Sequence, residues 1–239
     1  MYPLYLNVNV CLHSHICLDL SIIACMNERK KNFAPQQKRS QQTLDSLLAA
    51  TVSILDESGL EGAVIPAIAA RAGVAPASVY RRFTNKDDLI RAAFLHVLRQ
   101  SNERNKDYLT SEILRDTLDD SAACLMRLLF QQYRQHPRLM RSLSRFLDSD
   151  TDATFVKEAQ TMVAANVESI VHVLLAHRAQ IAHASPPEAL RFAVLQAATA
   201  IEVATLESQA LWQLVLPVDD KELQAQFARS MVAYLRRTG

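Results

Sequence analysis
Apolar positions along this chain recur at spacings of three and four and seldom alternate, so the pattern predicts helices rather than strands. Over about residues 40–58, Leu44, Leu47, Leu48, Thr51, Val52 and Leu55 fall on one stripe of a first helix. Ser58-Gly59-Leu60 stops it, with Gly59 suited to the left-handed position that follows a helix. Pro66 fits the first turn of a short helix running to Ala72, where a missing N–H does no harm. Gly73 supplies a tight turn, and Pro76 opens a second short helix reaching about Phe83. Asn85, with Asp88 three residues on, has capping-box spacing and starts a longer helix to about residue 105. Beyond it the same periodicity predicts helices over about 111–135, 137–147, 153–179 and 186–214, and a last one capped by Asp219 or Asp220. The fold class is all-α: an N-terminal three-helix unit with a helix-turn-helix, followed by a larger helical body.

Composition narrows this further. At 239 residues, 49% hydrophobic and 21% charged, the chain can bury a proper core and is not a disordered polymer. A net charge of +1 does not by itself call for nucleic acid, but local charge does more. Arg29, Lys30, Lys31, Lys38 and Arg39 form a basic run just before the first helix, the composition of an arm lying along phosphates. The first 25 residues hold Cys11, Cys17 and Cys25 and keep no steady period. His13, His15 and Asp19 interrupt their apolar character, so neither a signal peptide nor a spanning helix is expected. The Cys11-x-His13-x-His15-x-Cys17 spacing is not a usual zinc pattern. Residues 1–37 are expected to be a disordered extension, with Met26 a candidate for the true start. Past it Cys124 is the remaining cysteine, as in a reduced, cytoplasmic protein.

The chemistry concentrates in the second helix of the helix-turn-helix. Ser78, Tyr80, Arg81 and Arg82 are side chains that bond phosphates and base edges, and such a helix enters the major groove. Arginine can contact guanine in bidentate fashion, worth about 1–3 kcal/mol of discrimination. Adjacent helix positions stand about 100° apart, so one of Arg81 and Arg82 is expected on bases and the other on phosphate. Pro76 and Ala77, at the helix start, can touch a thymine methyl. Lys86 sits in a helical first turn, which is unfavourable for a cation and hints at an anion nearby.

Ile68-Ala69, Ala72-Gly73-Val74, Ser78-Val79-Tyr80, Phe83 and Lys86, followed by acidic residues and Leu89, resemble the DNA-binding region of TetR-family transcriptional regulators over residues 38–93. The resemblance implies a homodimer paired through its last two helices, a palindromic double-stranded operator, and a small-molecule effector bound within residues 94–239 that relieves repression. It also implies that Tyr80 and Lys86 contact backbone phosphates. The chain departs from the family pattern at Val64-Ile65-Pro66-Ala67, where polar residues often reach DNA; Lys38 and Arg39 are then expected to supply affinity instead. Phe130, Tyr133, Arg134, Met162, His172 and Trp212 are the candidate lining of an effector pocket. His172 and His177 are five positions apart, off the same-face spacing of a helical metal site. No metal, cofactor or membrane is expected. No nucleophile–base constellation or phosphate-cradling glycine loop supports an all-α enzyme; the remaining alternative is an adaptor that uses the helix-turn-helix without reading sequence.

Overall fold
The computed structural model describes residues 35–206 and 210–237. Among these no strand occurs. We number the helices α1 (Pro35–Gly62), α2 (Ile65–Arg71), α3 (Pro76–Tyr80), α4 (Lys86–Ile113), α5 (Leu118–Gln135), α6 (Pro137–Ser149), α7 (Ala153–Leu174), α8 (Pro186–Leu206), α9 (Ala210–Val215) and α10 (Asp220–Leu235). A 3-10 turn, Leu175–Gln180, extends α7.

The head forms as the apolar stripes require. Leu47, Leu48 and Leu55 of α1 meet Ile68 of α2, Val79 of α3 and Leu89 and Ile90 of α4 in one buried cluster. Gly59 has a φ of 70° and kinks α1 near its end; Gly73 has a φ of 69° and turns the chain between α2 and α3. Both torsions lie in the left-handed region that a side chain disfavours. Asn85 caps α4 by accepting a hydrogen bond from Asp88 N at 2.9 Å.

In the body, α4 packs along α7, α5 along α10, and α8 touches α5, α6, α7 and α10. The alanines of α8 explain that central place: Ala189, Ala193, Ala197, Ala198 and Ala204 are buried, and small side chains let neighbours approach from several sides. The spans Ala153–Gln180 and Pro186–Leu206 are long and apolar enough to cross a membrane, yet much of each is buried against the fold.

Several helix limits differ from the pattern-based expectation. Helix α1 is already helical at Pro35, so residues 35–37 do not belong to the disordered extension expected over 1–37, and it runs on past Ser58 through the Gly59 kink to Gly62. Helix α7 gives way to a 3-10 turn after Leu174. Helix α3 ends at Tyr80 rather than near Phe83, and the chain tightens there, with the Arg82 amide bonding Val79 O three residues back at 2.8 Å. Helix α4 runs on past residue 105 to Ile113, as no breaker interrupts it, and α5 starts only at Leu118. Thr117 is the cap that separates the two: its hydroxyl accepts from Asp120 N at 3.1 Å. The helix expected over 186–214 is described as α8 to Leu206 and α9 from Ala210 to Val215, with residues 207–209 outside the described residues. The boundary expected at 93/94 falls inside α4, which joins head and body as one helix. The expectations for residues 1–34 lie outside the described residues.

Candidate nucleic-acid interface
Helix α3 is short and held by one buried side chain, Val79, on its inner face. Pro76 at its start keeps the left-behind N–H problem small, and the chain enters from Gly73 with Val74 N bonded to Ala69 O at 3.0 Å. The opposite face carries the chemistry. Pro76, Ala77 and Arg81 are exposed, and the Tyr80 ring stands in solvent at 59% exposure. Ser78 is half-buried and its Oγ accepts from Arg81 Nη2 at 3.0 Å, so Arg81 lies along the outer surface of α3.

The two arginines take different partners within the head. Arg82 turns inward: its Nη2 donates to Ser40 Oγ at 3.0 Å and Ser40 O at 3.4 Å on α1. It ties the exit of α3 to the start of α1. Lys86 Nζ donates to Leu60 O at 3.3 Å, over the carbonyl end of kinked α1, where a cation is favoured. Arg39 is exposed at the start of α1, beside the face that Arg82 grips. The Lys38 side chain lies outside the described residues. On α2 the outward residues are Val64, Pro66, Ala67 and Ala70, none of which carries a side-chain hydrogen-bond donor. Arg71 is committed to Glu57, with Nη2 to Oε2 at 2.6 Å, and this pairing holds the Glu57 carboxyl below its ordinary pKa.

A cavity of about 500 Å³ opens between α1, α4 and the α3 exit, lined by Leu44, Asp45, Arg82, Phe83, His96 and Arg99 among others. Burial lowers the pKa of His96 there and favours its neutral form.

The side chains named for an effector pocket do not all come together. Phe130 and Tyr133 of α5 are fully buried, and Phe130 meets Phe227 of α10 at 6.0 Å between ring centroids. Trp212 of α9 closes the same group edge-on, 5.9 Å from Phe227. Arg134 is spent on a bidentate pair with Asp220, both contacts 2.7 Å, tying α5 to α10. Met162 and His172 belong to α7, which packs on α4 and α8; His172 is exposed. His177, weighed in the sequence only as a metal ligand, is buried 2.8 Å from Ser121 Oγ; its pairing joins the 3-10 turn to α5. No group of three or more metal-ligating side chains occurs among the described residues.

Two sets of contacts pin the head to the body. At one, His136 Nδ1 lies 2.8 Å from Asp56 Oδ2, and Arg138 donates to Glu57 O. At the other, Arg91 of α4 forks onto Asp150, with Nε to Oδ2 at 2.8 Å and Nη2 to Oδ1 at 3.0 Å. Burial acts to raise the Asp150 pKa, but the Arg91 bonds and a 2.8 Å bond from Asp152 N outweigh it and hold the carboxyl below its usual range. Nothing in the local sequence signalled these pairings, because the partners are 80 and 59 positions apart.

Residues 47–93, which span most of the head, match the family model described as bacterial regulatory proteins, tetR family. The head of this chain is therefore similar to the DNA-binding region of TetR-family regulators. An HTH-type transcriptional regulator of Mycobacterium tuberculosis is 33% identical over 98 residues, 41% of this chain and 44% of that protein. A second from the same species is 37% identical over 65 residues, 27% of this chain and 30% of the relative. The chain thus aligns with less than half the length of these curated relatives. Solved TetR-like folds align over far more of it. The fatty acid degradation regulator FadR from Bacillus halodurans superposes with a TM-score of 0.54 at 14% identity, covering 84% of this chain and 97% of that one. FadR from Bacillus subtilis, solved in complex with stearoyl-CoA, gives 0.55 at 17% identity, covering 80% and 96%. A TetR transcriptional regulator from Rhodococcus sp. RHA1 gives 0.52 at 18%, covering 82% and 97%. At such identities these likenesses establish the fold and nothing finer.

Proposed function
We propose that this protein is a dimeric transcriptional repressor that binds a palindromic operator and is released by a small-molecule effector. The observation that carries the reading is the outer surface of α3. A helix of five residues spends Val79 on the core and turns Tyr80 and Arg81 outward, an arrangement with little structural purpose and a ready use against DNA. Arg81 is the base reader in this account, since Arg82 is tied to Ser40; Tyr80 and Arg39 contact phosphate, as does Lys86 through the ammonium donors that its bond to Leu60 O leaves over, and Ser78 orients Arg81. Residues 38–93 form the reading head and residues 94–239 the effector and dimer portion, acting in the cytoplasm.

The second copy pairs through α8 and α10. Support comes from the outward face of α8, where Phe192 is 54% exposed beside Leu195, an apolar surface that a partner helix covers. Two-fold pairing sets two α3 helices about 34–36 Å apart, one turn of DNA. The effector enters among Phe130, Tyr133 and Trp212, where aromatic side chains from three helices meet. The stearoyl-CoA held by the similarly folded B. subtilis FadR supports an effector site in helices of this arrangement. An effector that binds better to the wider head spacing shifts the population off DNA.

The test is fluorescence anisotropy of labelled duplex against purified protein at rising salt. Phosphate contacts by Tyr80's neighbours and the arm make log K fall linearly with log salt, with a slope of about −0.9 per neutralised phosphate. A flat salt response from folded dimer refutes DNA binding through this surface and moves the adaptor reading to the front.

A further inference from the structure
Helix α6 is fastened to the head at both of its ends. Its entry, through His136 and Arg138, grips Asp56 and the Glu57 carbonyl at the end of α1. Its exit, through Asp150, grips Arg91 on α4, and the Asp150 side chain is only 2% exposed. Between those ends α6 reaches the other way: Ser144 Oγ donates to Glu202 Oε1 at 3.0 Å and Arg141 Nη2 to Leu206 O at 2.5 Å, both on α8. One short helix therefore links the two long head helices to the central helix of the body.

The Arg91 end differs in kind from the other contacts. Its hydrogen bonds continue in an unbroken line from the α3 exit to the start of α7. Thr84 N donates to Asp88 Oδ2 at 3.2 Å, Arg91 Nη1 to Asp88 Oδ1 at 2.9 Å, and Arg91 forks onto Asp150. Asp152 N then donates to Asp150 Oδ1, and Asp152 Oδ1 caps α7 through Thr154 N at 3.0 Å and Phe155 N at 3.1 Å. A bidentate guanidinium–carboxylate pair fixes direction as well as distance, so it resists rotation of α4 about the body in a way that apolar packing does not.

We infer that Arg91 and Asp150 are positioning residues for DNA reading: their shielded ion pair sets the angle at which α4 presents α3, and so the spacing of the two reading heads. The inference rests on the dimeric DNA-binding reading above. Removing the fork leaves the head folded, because its own core of Leu47, Leu55, Ile68, Val79 and Leu89 does not include the pair. What is lost is the fixed angle.

The experiment compares wild type, Asp150→Asn and Arg91→Lys on duplexes carrying the motif selected by wild type, with half-site separation normal or changed by one base pair either way. Mixed-sequence duplex and a thermal melt serve as controls. The expected result is tenfold or better spacing discrimination in wild type, collapse to about twofold in Asp150→Asn, and an intermediate value in Arg91→Lys, which keeps charge but not the fork. Mixed-sequence affinity stays unchanged. Spacing discrimination equal to wild type in both variants overturns the inference and leaves the dimeric reading standing. An equal loss on every duplex, mixed sequence included, also overturns it, since that is the signature of a merely structural pair. Failure of wild type to select any two-half-site motif sinks the dimeric reading and this inference together.

Discussion

Replacing Tyr80 with Phe separates DNA contact from folding more cleanly than any other single change in this head. The ring is 59% exposed, so loss of its hydroxyl is expected to alter stability by less than about 0.5 kcal/mol. If the phenol donates to a backbone phosphate, a hydrogen bond to a charged group worth about 1.5–3 kcal/mol is lost. A dimer carries the substitution twice, so the loss comes to about 3–6 kcal/mol, or roughly two to four decades in affinity. No charge is removed, and the salt slope therefore stays where it was. Arg81→Ala contrasts with it by flattening that slope wherever Arg81 neutralises phosphate, and by relaxing base preference where it does not. Anisotropy titrations with a selected duplex, paired with urea melts of the same preparations, read both quantities. An affinity within threefold of wild type, with stability intact, refutes the placement of the Tyr80 hydroxyl on DNA. A parallel loss of stability refutes the premise that the ring is free of the core.

Other consequences follow from the same geometry. Asn85→Ala removes the cap of α4 and is expected to cost about 0.5–2 kcal/mol in urea melts, with Asn85→Asp nearly neutral. Gly59→Ala forces a side chain into a left-handed torsion and is expected to destabilise by about 1 kcal/mol or more, read the same way. Phe192→Glu places a charge on the outward face of α8 and is expected to convert dimer to monomer in sedimentation equilibrium while leaving the helical signal unchanged. The Asp150 pKa is depressed in the folded protein, so the native state binds fewer protons than the unfolded chain in acid. Its contribution is present in full above the unfolded value of about 3.9 and is lost as pH falls through the folded one; Asp150→Asn is expected to flatten the stability curve in that acid window. His96 is likewise depressed, by burial, so stability is expected to begin falling below about pH 6.5, and His96→Gln to remove that first decline.

The reading head was legible because its signals are local. Gly59, Gly73, Pro66, Pro76 and Asn85 each fix a backbone event within one or two residues of themselves, and the structure places those events there. The limits that were missed lack such marks or hide them. Thr117, with Asp120 three residues on, was a readable cap, obscured because apolar periodicity continues across it. The fate of Arg82 and Lys86 could not be read from their helix positions, since each is decided by an oxygen on α1, from Ser40 and Leu60. Arg134 was a candidate pocket residue, and the structure gives it another role. Its partner, Asp220, lies 86 positions away and shows itself only after folding. Long-range pairing of this kind carries no periodicity and leaves no trace in a single sequence.

The central claim is that paired α3 surfaces read two half-sites, and selection of genomic fragments by wild type and Arg81→Ala in parallel tests it most directly. At physiological salt the account predicts one palindromic motif from wild type, its half-sites centred a whole number of DNA turns apart, at about 10–10.5 base pairs per turn. It predicts that motif to be lost or degenerate at specific positions in the variant. Fragments sharing no motif, or the same motif recovered equally well by Arg81→Ala, would contradict it.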